Sequence, residues 1–174
     1  QLTEPQPFEL KMLEGATLPA ENQEELAAFR KETAAFQRVF SGATSMLSDA
    51  SNKVGAMERA IMALPEPSAE WLGQVKKMEK AIADVRKTLY GDRRASTLDM
   101  DTEPGISSRL YGMAYAMYGT SSAPTQTMRS ELKLAKEAFG PVYQKIKNMV
   151  ETDIKAMERK LEEAGAPYTP GRMI

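Results

Sequence analysis

Neither histidine nor cysteine occurs anywhere in the chain, so any chemistry it performs has to do without them. Ser-His-Asp and Cys-His nucleophiles, an imidazole general base and thiolate or imidazole zinc sites are all excluded. What remains is chemistry by carboxylates, lysine or tyrosine, or by a hard cation held through oxygen. The clearest acidic candidate is Asp99, Asp101 and Glu103, at every second position, as in a calcium loop. The match fails at its two defining places: the required glycine falls on Pro104 and the closing bidentate glutamate on Leu110. A solvated loop is the better reading. A glycosidase-like carboxylate pair needs two acids about 5 to 9 Å apart in a cleft, a separation that sequence spacing does not establish. No catalytic residue, no metal ligand and no cofactor is therefore expected.

The residues that could instead recognise something are aromatic and cationic. Tyr111, Tyr115 and Tyr118 stand at i, i+4 and i+7, one face of a short helix. Such a face could stack on a glycan or a peptide, but aromatic stripes with methionines beside them, here Met113 and Met117, more often pack into a core. Burial is the expectation, and exposure would favour the ligand platform. Arg109 and Arg172 lie beside tight turns, where a guanidinium can anchor carboxylates or backbone carbonyls. Many methionines, such as Met57, Met78 and Met149, fall at core spacing and read as gap fillers.

The elements that must position these residues are helices. From Leu26 the apolar residues Phe29, Phe36, Phe40, Ala43, Leu47, Ala50, Val54, Met57, Ile61 and Leu64 recur at alternating steps of three and four, with Thr33 the polar exception. This is a heptad seam, on a helix from about residue 22 to 64 that would be roughly 65 Å long. Gly42 and Gly55 interrupt it at a cost of about 1 kcal/mol each, which close packing is expected to offset. Pro65 and Pro67 stop this helix and Ser68 caps the next, whose seam Leu72, Val75, Met78, Ile82, Val85 and Leu89 ends at Gly91. Residues 92 to 105 read as a loop, Ile106 to Tyr118 as a short helix, and Thr125 as the start of the last one. In that helix the seam Met128, Leu132, Ala135, Phe139, Val142, Ile146, Met149 slips to Val150, Ile154, Met157, Leu161 and Ala164, which marks a local change of winding. Pro141 predicts a kink or brief break near Gly140.

These lengths predict an all-α protein: an antiparallel bundle of long helices with three legs and four helices, the middle leg interrupted. An up-down-up-down bundle with one short member is the alternative. Residues 21–174 form the bundle, and residues 1–20 an extended segment in which Phe8 to Met12 alternates like a strand without a partner. The chain opens at Gln1 rather than Met, so upstream sequence is expected. Its 23 basic residues balance 24 acidic ones, and those of the last helix are interspersed, so no field attracts nucleic acid. No apolar run reaches the roughly 18 residues of a membrane span.

Four segments together resemble the C-terminal helical region of bacterial sortilin-like proteins with BNR (Asp-box) repeats, often labelled glycosyl hydrolases. They are Leu18-Pro19-Ala20-Glu21-Asn22, Pro104-Gly105-Ile106-Ser107-Ser108-Arg109-Leu110, Ala123-Pro124-Thr125, and Pro167-Tyr168-Thr169-Pro170-Gly171-Arg172. The resemblance runs from about residue 8 to the C-terminus. It implies a non-catalytic appendage to a β-propeller in an exported protein, periplasmic or extracellular, with cytoplasmic placement left open. It also implies that activity belongs to the propeller and that the partner is the upstream domain of the same polypeptide or another protein.

Overall fold

The computed structural model describes residues 6–9 and 22–170, and among these every regular element is a helix. Gln6 to Glu9 are irregular and exposed. The rest of the expected strand, most of the 1–20 segment and Arg172 lie outside the described residues.

The first helix, α1, runs Gln23–Met62 and buries its seam as the spacing requires. Phe40, Leu47, Val54, Met57 and Ile61 are almost wholly inaccessible. Thr33, the polar member, is also buried, and its hydroxyl donates to the Phe29 carbonyl at 2.8 Å, so no polar atom is left unpaired there. Helix α2, Ala69–Tyr90, starts where the Ser68 hydroxyl accepts from Trp71 N–H and stops at Gly91, whose φ of 85° a side chain would resist. Helix α4, Ile106–Tyr118, continues the same leg, and together α2 and α4 run antiparallel to α1. The third leg is α5, Gln126–Asn148, a π turn over Met149–Ile154, and α6, Lys155–Glu163. The three-legged bundle with an interrupted middle leg is therefore the architecture.

Three details depart from what the sequence leads one to expect. The stretch 92–105 contains a single helical turn, α3, Arg93–Thr97, held by the Asp92 carboxylate accepting from the N–H groups of Arg94 and Ala95 at 3.1 Å each. It buries no residue, so it leaves no periodic trace. The helix is continuous through Pro141, with no break at Gly140. Proline removes one donor, and the carbonyl it would have met belongs to Glu137, an exposed residue. Finally, Gly42 and Gly55 are not sites of close packing. A Cβ at Gly42 would meet nothing within 4 Å, and at Gly55 only the Arg59 guanidinium at 3.7 Å. The tight approach is elsewhere, at the joint of the middle leg, where a Cβ on Gly105 would lie 2.5 Å from both Gly91 N and Tyr90 C.

The seam slip is real and its geometry is specific. Buried positions step from Met149 to Ile154, five residues, where the rest of the leg steps by three or four. The ion pairs between the first and third legs register the same event. Glu25 pairs with Arg129 and Glu32 with Lys136, each 104 residues apart, but Lys53 pairs with Glu158 at a separation of 105. These legs run parallel, and the π turn absorbs one extra residue without displacing α6 along the axis. Solvent-accessible pairs of this kind contribute little stability singly, yet their offsets mark the register.

Deleting exposed Glu151 should thus restore an unbroken three-four pattern and leave a folded chain whose Tm is unchanged or higher by circular dichroism. Deleting Lys133, ahead of the π turn, should instead rotate the seam away from the core and lower Tm sharply. Gly105→Ala should cost about 1–3 kcal/mol by overpacking, while Gly42→Ala should add about 0.5–1 kcal/mol, both read by urea denaturation.

Candidate functional site

Helix α4 buries Ile106, Leu110, Met113 and Met117, a complete i, i+4, i+7, i+11 seam. That seam fills the core side of the helix, and the tyrosines, on the neighbouring stripe, have no room on it. Tyr111, Tyr115 and Tyr118 are 52%, 83% and 92% exposed. The expectation that they are core residues is overturned, because aliphatic and methionine side chains with the same spacing occupy the buried face. Tyr111 keeps one contact inward, its ring meeting Phe40 edge-on with centroids 6.3 Å apart.

The outward face of α4 is unusual in charge as well. Between Arg109 and Arg129 the sequence contains no charged residue. Arg109 itself is engaged: its Nη1 donates to both carboxylate oxygens of Glu131 on α5, at 3.0 and 2.9 Å. It anchors α4 to the third leg. The other end of α4 is held by a residue that sequence reasoning missed. Arg30 of α1 donates through Nη2 to the carbonyls of Met117 at 3.0 Å and Thr120 at 2.9 Å. A cation placed on the last carbonyls of a helix satisfies acceptors that have no partner inside it and complements the negative end of its dipole.

Between α1 and α4 these side chains border a groove of about 440 Å³, lined by Arg30, Thr33, Ala34, Gln37, Ala114, Met117 and Tyr118. Thr33 and Met117 are its buried members, Ala34 and Ala114 are half-buried, and exposed Tyr118 borders it. A larger cleft, about 510 Å³, lies at the joint of the middle leg, where Lys87, Asp92 and Arg109 are held in ion pairs. Lys87 is bound to Asp92 at 2.7 Å, and Arg109 to Glu131. The Lys87 ammonium, together with the N–H groups of Ala95 and Arg94, holds the Asp92 carboxyl below the ordinary aspartate range. Glu103 lines this cleft while Asp99 and Asp101 do not, and among the described residues no three metal-ligating side chains gather. No described helix is long and apolar enough to cross a membrane.

The structure thus brings the three tyrosines together on one open face, places Arg109 on the opposite flank of the same helix, and leaves Arg172 outside the described residues. Family models, curated proteins and solved structures returned no match to the chain. The resemblance to sortilin-like propeller proteins rests on the four sequence segments alone. Where described, those segments fall at joints between helices: Asn22 before α1, Pro104 to Leu110 opening α4, Thr125 capping α5, and Pro167 to Pro170 after α6.

Replacing Arg30 by Met should uncap α4 and cost on the order of 1 kcal/mol. Hydrogen exchange should locate the effect, with amides at the end of α4 opening faster while those of α2 keep their protection.

Proposed function

We propose that this chain is a non-catalytic interaction module that recognises a protein partner through the tyrosine-bearing face of α4. The observation that carries the reading is the exposure of Tyr111, Tyr115 and Tyr118 on a helix face without charge. An exposed aromatic cluster is stabilised when a partner removes it from water, and tyrosine adds a hydroxyl that keeps the free surface wettable. The absence of histidine and cysteine, and the ion-paired state of Lys87, Asp92 and Arg109 in the cleft at the middle-leg joint, support a non-catalytic role. The resemblance to the helical region of sortilin-like repeat proteins supports a setting as an appendage to an exported β-propeller, docking on that domain in cis.

A second reading draws on the same exposure: the tyrosine face binds a glycan, stacking sugar rings on its phenols. Neutral oligosaccharides titrated against the chain and followed by tyrosine NMR shifts distinguish it from protein recognition.

The decisive experiment is calorimetric titration of the folded chain with the propeller domain of the parent polypeptide, expressed separately. Saturable binding is expected, and Tyr111→Ser, Tyr115→Ser and Tyr118→Ser combined should weaken it by about tenfold or more while Tm holds. Absence of binding by a folded chain removes cis docking, and undiminished binding by the triple variant removes the α4 face as its surface.

A further inference from the structure

We infer that the groove between α1 and α4 seats an acidic amphipathic helix, with the α4 face taken as the recognition surface proposed above. Charge complementarity around a small apolar floor selects this occupant. Ala34 stands in the groove, and its neighbours on the α1 surface are Arg30 at i−4, Lys31 at i−3 and Arg38 at i+4. None of these three cations meets a carboxylate among the described residues. Arg30 spends its bonds on the carbonyls of Met117 and Thr120, and Lys31 and Arg38 are exposed, with no hydrogen bond or ion pair of their side chains among the described residues.

The neighbouring acids of α1 are turned to other work or stand apart. Glu25 and Glu32 pair with Arg129 and Lys136 on the third leg, and Glu24 lies in the first turn. Helix α4 contributes no carboxylate at all. A chain whose formal net charge is −1 therefore carries three cations without carboxylate partners beside one groove.

The shape of the groove selects among anionic partners. It is concave and lies between two antiparallel helices, with alanines at Ala34 and Ala114 where a third helix backbone could approach closely. Tyr118 walls one end, and Tyr111, seven residues earlier and about 10 Å along the axis, rests on Phe40 near the other. That span suits apolar side chains at i, i+3 or i+4, and i+7 of a docked helix, with its glutamates or aspartates flanking toward Arg30, Lys31 and Arg38.

The test uses the full chain and two fluorescein-labelled helical peptides with identical leucine spacing, one flanked by glutamates and one by lysines. Anisotropy at low salt should show saturable binding of the glutamate peptide, at least about tenfold tighter than the lysine peptide, with the difference shrinking as salt rises. Lys31→Glu combined with Arg38→Glu alters two exposed positions and should reverse the preference. Ala34→Phe fills the floor and should abolish binding of both peptides with an unchanged circular dichroism spectrum. Equal affinity for the two peptides, or binding that survives Ala34→Phe, overturns the inference. So does binding to phosphatidylglycerol vesicles in place of either peptide. Should the peptides fail while the triple tyrosine variant still loses the propeller domain, only the partner's chemistry is wrong. Should the triple variant bind that domain normally, the α4 reading itself is lost.

Discussion

A helix of 40 residues presents one apolar stripe from end to end, and the rest of the molecule is arranged to cover it. Leaving that stripe in water would cost about 25 cal/mol for every Å² of apolar surface, far more than a lone helix could recover from its own hydrogen bonds. The second and third legs are accordingly long, and each solves a geometric problem in being so. The middle leg is assembled from α2 and α4, which requires a joint where backbone meets backbone at Gly91 and Gly105. The third leg stays a single rod but has one residue too many for its register, which the π turn over Met149–Ile154 takes up. The ion-pair offsets of 104 and 105 on either side of that turn are the imprint of this solution.

The face proposed for recognition stems from how the middle leg is divided. Helix α4 has 13 residues, enough to cover the Phe36 and Phe40 region of α1 with one face. Its opposite face touches the core only through the edge contact of Tyr111 with Phe40 and is free of charge, which separates it from the lysine- and glutamate-rich outer faces of α2 and α5. Arg109 and Arg30 fix the helix at its two ends, so the tyrosines project from a rigid support rather than from a loop. Binding surfaces of this type gain from such rigidity, because less freedom is lost when a partner docks.

Most of the fold was legible because burial imposes a period. The α1 seam, the Ser68 cap, the start of the last helix at Thr125, the stop at Gly91 and the slip after Met149 all come from spacing and capping chemistry, and the structure has each of them. What spacing cannot decide is which of two adjacent stripes faces inward. On α4 the set Ile106, Leu110, Met113, Met117 and the set Tyr111, Tyr115, Tyr118 carry nearly the same period, and only the position of α1 and α5 chooses between them. The stretch without charge between Arg109 and Arg129 was the available signal for an unusual surface. Arg30 as a cap for α4 left no trace at all, since its partners are carbonyls 87 and 90 residues away. Helix α3 was invisible for the opposite reason: its one cap is local, but it buries nothing.

An odd number of legs has a mechanical consequence. With legs one and three parallel, Asn22 and Pro170 lie toward opposite ends of the bundle, separated by about the length of α1, some 60 Å at 1.5 Å per residue. Two bodies joined to these ends are held apart as by a strut. A pull between them loads the first and third legs in shear along their common axis, so the seam must slide as a whole instead of opening one turn at a time.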